Sequence, residues 1–303
     1  MIVLLPEALL AALMIEAAVG YPGWLFARIG HPVTWCGALI AVLETTWNGG
    51  RARRGKGVLL LVMLVGVTGG SAYVVQAFAP VWLVVGLATT GLAQRSLYDH
   101  ARRVERPLAA GDLPAARAAV AMIVGRDVDT LDEAGVATAA IESVAESFCD
   151  GVVAPAFWFL IAGLPGLAIC KAINTADSMI GHKDDRYRAF GWAAARADDI
   201  VNVVPARIAG ALICLVGAGG VGTMLRDAAK HASPNGGWPE AAMAGVLRRR
   251  LGGTVSYDGE PADRAVLGVG PAPDADDLTR ALRLYCAACL ALWIGAGAIA
   301  WAR

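Results

Sequence analysis

Three carboxylates recur at a spacing of four residues near the middle of the chain. Glu142, Glu146 and Asp150 would share one stripe of a helix, where like charges are destabilising unless a cation offsets them. Magnesium binds carboxylate oxygens and keeps water positions for a phosphate ligand. The stripe runs into the apolar segment 151–155, where a solvated acidic face would end. It therefore indicates contact with a metal or a substrate, with a solvated acidic face as the alternative.

A second polar block, residues 171–207, combines acids, bases and amides between apolar stretches. Arg and Lys suit phosphate groups, and Asp suits magnesium. Internal salt bridges are the alternative for about half of these side chains. The candidate site residues in this block are Lys171, Asn174, Asp177, Lys183, Arg186, Tyr187, Trp192, Arg196, Asp198, Asp199, Asn202 and Arg207.

A third polar segment, residues 233–240, packs turn-forming residues around groups that could bind a ligand. Ser233, Asn235, Trp238 and Glu240 offer a hydroxyl, an amide, an indole and a carboxylate. Turn formation explains the Gly, Pro and Asn, but it does not explain the Trp and the Glu. Helix capping is an adequate account of the acids at 127–132, and the single histidines at 31 and 182 are expected to be structural.

The elements that must position these residues are helices in a membrane. The chain has 303 residues, of which 57% are hydrophobic and 17% charged, and its net charge of zero indicates no nucleic-acid partner. A helix needs about 20 apolar residues to cross the hydrocarbon core. Residues 57–94 suffice for two helices turning near Pro80, and 151–170, 208–225 and 284–302 for one crossing each. Residues 2–27, with two Glu, are a weaker candidate.

We therefore predict an all-α polytopic membrane protein, a single domain over 1–303 with four to six membrane-embedded helices. Gly and Pro at 163–166 would break a re-entrant segment at 151–173. Amphipathic helices and loops would lie on one face. We expect a helical pair over 95–123, an amphipathic helix over 130–149, and a loop over the Gly-, Pro- and Asp-rich residues 252–277.

Two nucleotide-binding patterns are present but incomplete. Residues 50–57 resemble a P-loop, yet Gly57 stands where the magnesium-binding hydroxyl should be, and no strand precedes it. Residues 217–222 match G-x-G-x-x-G after an apolar run. No second βαβ half follows, so glycines that permit close helix packing are the simpler account.

The order of the motifs resembles one family. HPVTWCGALI (31–40), GRDVDTLD (125–132), ESVAESFCDGVVAPAFW (142–158), the block 171–207 and SPNGGWPEAAMAG (233–245) look like the CobD/CbiB family of cobalamin biosynthesis proteins, the adenosylcobinamide-phosphate synthases. The resemblance covers essentially the whole chain. The first motif of the family usually carries a basic residue where Thr34 stands, so a phosphate contact is doubtful there.

The resemblance implies a multi-pass ligase of the cytoplasmic membrane that uses ATP and Mg²⁺. It would join adenosylcobyric acid to an amino-alcohol phosphate, aminopropanol phosphate. The expected catalytic set is Glu142, Glu146, Asp150, Asp177 and Lys171, of which the four acids are also the magnesium candidates. Phosphates would be held by Lys171, Lys183, Arg186, Arg196 and Arg207, and Tyr187, Trp192 and Trp238 could pack on the corrin or the adenine.

Two other classes of function are compatible with the sequence. A non-catalytic membrane sensor of the AmpE type is distantly related to the family, but the charged set in 142–207 is retained here. A transporter would explain broken helices and buried charges, although it predicts internal symmetry that the sequence lacks. The lipid bilayer is an expected partner. A homo-oligomer and an association with other late membrane enzymes of the same pathway are both left open.

Overall fold

The computed structural model describes residues 5–257 and 259–302, and these form two compact units. Unit 1 takes the described residues of Met1–Ala93, Ala154–Asn202 and Gly295–Arg303. Unit 2 takes those of Gln94–Val153 and Val203–Ile294. Each unit is therefore assembled from segments that are distant in the sequence. The prediction of a single domain over residues 1–303 stays a prediction.

Unit 1 is built from helices. Their bounds are α1 Pro6–Val19, α2 Gly23–Ile29, α3 Pro32–Trp47, α4 Arg53–Phe78, α5 Val81–Thr89, and later in the chain α9 Ala154–Ile180 and α10 Trp192–Val201. The core packs aliphatic and aromatic side chains of α3, α4 and α9 with Phe190, which precedes α10. The helices thus bury one apolar stripe each, as expected for helix-on-helix packing.

Unit 2 combines helices with one hairpin. Its helices are α6 Gln94–Ala109, α7 Leu113–Val120, α8 Glu133–Phe148, α11 Val203–Val216, α12 Val221–Asp227 and α13 Gly237–Leu247, with the π-helical turn Cys149–Val153 after α8 and the 3₁₀ turn Ala228–Lys230 after α12. Strands β1 Leu251–Tyr257 and β2 Glu260–Leu267 pair antiparallel. Helix α14, Ala275–Trp301, begins in unit 2 and ends in unit 1.

Within residues 5–257 and 259–302, four helical stretches are long and apolar enough to cross a membrane. They are Gly23–Trp47, Arg53–Phe78, Glu133–Ile180 and Ala275–Trp301. The bent pair α10 and α11 would make a fifth if it counts as one span. The prediction of an all-α protein with four to six membrane-embedded helices is confirmed, while the side of the membrane on which each loop lies stays a prediction.

The predicted break in the segment 151–173 is confirmed at Gly163. This residue interrupts α9 with φ 65° and ψ −153°, a backbone conformation that glycine adopts without strain. The break releases the Leu164 N–H from the helix, and the side-chain oxygen of Gln76 accepts it at 2.6 Å. A side chain of α4 therefore satisfies a polar group that hydrocarbon could not.

Two element predictions are wrong. Residues 2–27 are not one helix, because Gly20, with φ 66°, ends α1 after 14 residues and α2 begins only at Gly23; residues 2–4 lie outside the described residues. The predicted loop 252–277 contains most of both strands and the start of α14. Its two glycines at 252 and 253 have positive φ and accompany a register irregularity in β1, so they shape the strand rather than prevent it.

Three further predictions hold in part. Residues 57–94 form α4 and α5, which turn at Ala79–Pro80, but the 9 residues of α5 are fewer than the about 20 that a crossing needs. The predicted crossing 208–225 is divided between α11 and α12, and 95–123 form the expected pair α6 and α7. The glycine-rich segment 217–222 follows helix α11, not a strand, so the helix-packing interpretation of its glycines is supported. Gly217 and Gly220 lie against Val246 of α13, where a Cβ would clash.

Candidate functional site

Glu142 is the centre of a buried charge cluster in unit 2. It lies on α8, and its side chain is 2% exposed. One carboxylate oxygen accepts the Gly252 N–H at 2.6 Å. The other accepts Arg264 Nη1 at 2.8 Å and a bond from Arg126 Nη2. The carboxylate is therefore paired with two guanidinium groups, as a buried anion must be.

Arg264 connects this carboxylate to a second one. Its Nη2 lies 3.3 Å from Glu240 Oε1 and 3.1 Å from His231 Nε2. Glu240 is 1% exposed, and its carboxylate lies 3.6 Å from the His231 ring. We call Arg126, Glu142, His231, Glu240 and Arg264 the charge cluster.

Local sequence places the members of the charge cluster. Asp132 caps α8 by accepting the Gly135 N–H at 2.8 Å, so α8 starts where the capping prediction put it. Glu240 lies in the first turn of α13, where the helix dipole favours a negative charge. Arg264 comes from β2, and Asp127 is not a helix cap but accepts Ser256 Oγ at 2.6 Å, which fastens the hairpin to the segment before α8.

Burial governs the protonation of Glu240 and His231. Burial first, and then the negative charges of Glu142 and Glu146, raise the pKa of Glu240 well above 4.5. Burial lowers the pKa of His231. Both shifts favour the neutral side chain, so this part of the charge cluster avoids two buried charges.

The raised pKa of Glu240 predicts a pH dependence of stability. The folded protein keeps a proton that the unfolded chain releases near pH 4.5, so this contribution is complete below that pH and is lost as pH rises through the folded pKa. We expect Glu240→Gln, which mimics the protonated acid, to remove that decline. Chemical unfolding in detergent at several pH values above about 4.5 checks it. An identical pH slope in both proteins would contradict the assignment.

The segment 233–240 is ordered by its own side chains. Ser233 Oγ accepts the N–H groups of Asn235 and Gly236, both at 3.2 Å. Arg207 donates to Asn235 Oδ1 at 3.2 Å and lies 4.5 Å from the ring centroid of Trp238. The structure therefore brings together the predicted residues Arg207, Ser233, Asn235, Trp238 and Glu240, and it explains why an indole stands in this turn.

Most predicted residues of 171–202 are paired within unit 1. Arg186 forms a bidentate pair with Glu44, both distances being 3.0 Å. Three further side-chain pairs are Lys171 Nζ with Asn174 Oδ1 at 3.3 Å, Arg196 with Asp199 at 2.9 Å, and Asn202 Nδ2 with Asp198 at 3.0 Å. The Tyr187 N–H donates to the Asp184 carboxylate at 3.0 Å, and the Arg54 guanidinium lies 3.7 Å from the ring centroid of Trp192. Lys183 is exposed. Internal pairing, the alternative that the sequence left open for about half of these side chains, therefore accounts for many of them.

Lys171 also lines a cavity of about 450 Å³ in unit 1. The other walls are mainly apolar, and they include Trp35, Leu64 and Leu167. The hydroxyl of Thr175 donates to a carbonyl of its own helix at 2.7 Å. The cavity suits hydrocarbon better than a phosphate group, so the structure adds no support for phosphate binding by Lys171.

The four magnesium candidates are divided between the units. Asp177 belongs to unit 1, and Glu142, Glu146 and Asp150 belong to unit 2. Asp150 falls in the π-helical turn, so the regular four-residue stripe of an α-helix ends before it. Across residues 5–257 and 259–302, no three His, Cys, Asp or Glu side chains form a group that could hold a metal ion. Magnesium binding stays a prediction.

Sequence reasoning missed three members of the charge cluster: Arg126, His231 and Arg264. Arg264 was hidden by the loop prediction, although Asp-Gly at 258–259 is the strongest short hairpin signal. His31, in contrast, has the structural role expected for it, because its Nδ1 accepts the Val33 N–H at 3.2 Å at the start of α3. Thr34 accepts the His31 N–H at 3.1 Å and completes this cap.

Comparison with known proteins identifies the family. The model of the family described as CobD/Cbib protein matches residues 9–285. The chain belongs to the CobD/CbiB family. The resemblance carried by the five sequence motifs is thereby confirmed over nearly the whole chain.

Curated relatives align with this chain over most of their length. A protein of Rhodobacter capsulatus named "Cobalamin biosynthesis protein CobD" is 51% identical over 305 residues, which cover 97% of each chain. Proteins of the same name from Sinorhizobium sp and Halalkalibacterium halodurans are each 44% identical, and the alignments cover 92% and 87% of this chain and 93% and 86% of theirs. No solved structure matches the chain.

Proposed function

We propose that the protein is the ligase of cobalamin biosynthesis that forms adenosylcobinamide phosphate. It would join the free carboxylate of adenosylcobyric acid to the amine of (R)-1-amino-2-propanol O-2-phosphate and convert ATP to ADP and phosphate. The observation that carries the proposal is the match to the CobD/CbiB family over residues 9–285. The cytoplasmic membrane is the location we propose for the multi-pass chain.

The chemistry requires activation of a poor electrophile. An oxygen of the substrate carboxylate would attack the γ-phosphorus of ATP, and ADP would leave. The amine would then attack the carbonyl carbon of this acyl phosphate, releasing phosphate and a proton. Both steps depend on orientation and on neutralisation of phosphate charge more than on a protein nucleophile.

The carboxylates around the charge cluster differ in exposure, and this difference supports a substrate contact at Glu146. Glu142 and Glu240 are buried and held by Arg264, which makes them positioning residues. Glu146 is exposed one turn after Glu142, and its negative charge partly opposes the lowering of the pKa of His231 that burial causes. We propose Glu146 as the carboxylate of this helix that meets the substrate.

Magnesium would enter with the nucleotide. A nucleotide-bound magnesium ion needs only one or two protein carboxylates, because phosphates and waters complete its shell. Glu142 does not fit this role, because Arg126, Arg264 and Gly252 already occupy its oxygens. Glu146 and Asp150 in unit 2, or Asp177 in unit 1, are the acids we propose for it, and the ion would neutralise phosphate charge.

The proposed reaction is tested with purified protein, magnesium, ATP, adenosylcobyric acid and aminopropanol phosphate, each omitted in turn. We expect ADP release and an amide-linked corrinoid only when all components are present. Folded protein that binds the corrinoid without turnover would instead indicate the non-catalytic sensor. Folded protein with neither property would contradict both functions.

Replacing Glu146 tests the proposed site. We expect Glu146→Gln to lower kcat by about 100-fold or more, because losing one electrostatic contact in the transition state typically costs about 10²- to 10³-fold in kcat. Its unfolding should change by less than about 0.5 kcal/mol, because the side chain is exposed. Glu133→Gln, at the exposed start of α8, is the matched control and should keep wild-type kcat. Wild-type kcat in Glu146→Gln would remove this residue from the site.

A further inference from the structure

Two distant segments of unit 1 converge in a basic surface. Arg51 lies in the turn between α3 and α4, and the first residues of α4 include Arg53, Arg54 and Lys56. The loop between α9 and α10 carries Lys183, Arg186 and Arg188. Over residues 44–56 and 181–192, seven Lys or Arg face three carboxylates. The excess of positive charge is therefore concentrated on one surface of a chain whose net charge is zero.

Hydrogen bonds fasten the loop to the turn. Asn48 Nδ2 donates to the Arg186 carbonyl, and Arg53 Nη2 donates to the Asp185 carbonyl, both at 3.2 Å. Glu44, with a side chain 7% exposed, binds Arg186 through both oxygens. These contacts neutralise Glu44, one of the three acids. They also fix the backbone that carries the neighbouring cations.

The remaining cations point outward. Arg51, Arg54, Lys183 and Arg188 are exposed, and we call these four side chains the basic rim. Arg188 lies 3.6 Å from Asp185, but both are largely exposed, and such pairs are weak. Side chains spread over an exposed surface fit a layer of headgroups better than an enclosed nucleotide, which needs a pocket that excludes water.

The position of the basic rim identifies its partner. Helix α3 ends at Trp47 and α4 begins at Arg53, and both belong to stretches able to cross a membrane. The rim therefore lies where hydrocarbon meets water. Trp192, 40% exposed and stacked on Arg54, has the amphipathic character of interfacial tryptophans.

We propose that the basic rim binds the headgroups of anionic phospholipids. Clusters of four or more Lys and Arg next to a membrane helix attract anionic lipid. Here the charge is complementary, and the loop that carries Lys183 and Arg188 is fastened through Glu44, Asn48 and Arg53. Lipid bound there would hold the loop 181–191, which follows α9 directly. The inference is independent of the reaction proposed above.

The test is competitive lipid retention by the full-length protein. Purified protein is equilibrated in mixed micelles of equal phosphatidylglycerol and phosphatidylcholine, and retained lipid is counted by native mass spectrometry. We expect wild type to prefer phosphatidylglycerol by about tenfold or more. The variant Arg51→Gln, Arg54→Gln, Lys183→Gln, Arg188→Gln should fall to within about twofold, whereas the charge-conserving Arg51→Lys, Arg54→Lys, Lys183→Arg, Arg188→Lys should keep the preference.

The matched control removes four exposed cations from unit 2. They are replaced in Arg103→Gln, Arg106→Gln, Arg250→Gln, Arg283→Gln, and this variant should keep most of the preference. An equal loss in the control would mean that net charge alone attracts the lipid, and it would overturn the proposal. Displacement of phosphatidylglycerol by ATP would also overturn it, because the rim would then be a nucleotide site.

Discussion

Arg264→Met is expected to lower the free energy of unfolding by about 3 kcal/mol. Breaking a buried ion pair typically costs 3–5 kcal/mol, because the remaining charge stays buried without its partner. Glu142, 2% exposed, would lose one of its two guanidinium partners, the one whose Nη1 lies 2.8 Å from its carboxylate. The lower end of the range applies because Arg126 still binds Glu142. Denaturant unfolding in detergent measures the change.

The neighbouring carboxylate provides an internal check on Arg264. The double variant Arg264→Met, Glu142→Gln should recover part of the loss, because an amide carries no charge that needs the missing guanidinium. Arg95→Met is the control, since Arg95 and Asp99 are both more than 40% exposed and such pairs contribute at most about 1 kcal/mol. Equal losses for Arg95→Met and Arg264→Met would mean that burial of the charge cluster does not determine its energetics.

Gly57→Ala is expected to destabilise unit 1 by about 2 kcal/mol. A Cβ on Gly57 would overlap the carbonyl oxygen of Phe190, and a backbone atom cannot rotate away as a side chain can. Overpacking of this kind typically costs 1–3 kcal/mol. Since Phe190 belongs to the segment between α9 and α10, trypsin should also cleave faster at Lys183 and Arg188. Unfolding curves and the mass of the fragments measure both effects.

Gly55→Ala is the matched control for this substitution. It lies two residues earlier on α4, and a Cβ there would meet nothing within 4 Å. Alanine is a better helix former than glycine by up to about 1 kcal/mol, so this variant should be as stable as wild type or more stable. Equal destabilisation by both changes would show that the start of α4 does not tolerate alanine in general, and that the contact of Gly57 with Phe190 is not the cause.

The helices could be predicted because their signals are local. The uncharged stretch 57–94 and its Pro80 gave α4 and α5, and the glycine at 163 gave the break in α9. The partner of that break could not be predicted, because Gln76 is 88 residues from Leu164. The hairpin was missed because glycine and proline were interpreted as loop formers, although β1 uses Gly252 and Gly253 at positive φ.

The candidate site shows the same limit. Spacing and residue type drew attention to Glu142, Glu146 and Glu240, which the structure places around Arg264 and His231. The sequence could not show which of these acids is exposed, because exposure depends on β2, whose Arg264 lies 122 positions from Glu142. It also could not separate phosphate-binding residues from internal pairs, as Arg186 with Glu44 illustrates.

The interleaving of the two units constrains how the chain can fold during synthesis. The core of unit 2 includes residues from Leu97 to Cys289, with Leu278, Ala281 and Tyr285 among its buried members. Its last layer therefore leaves the ribosome only with the final part of the chain. Until α14 has been synthesised, the apolar faces of α6 and α8 that pack against it stay exposed. Partly folded chains with exposed apolar surface tend to aggregate. A product truncated before α14 would lack a closed core in unit 2. We therefore expect cellular proteases to degrade it, and it would not act as a smaller functional protein.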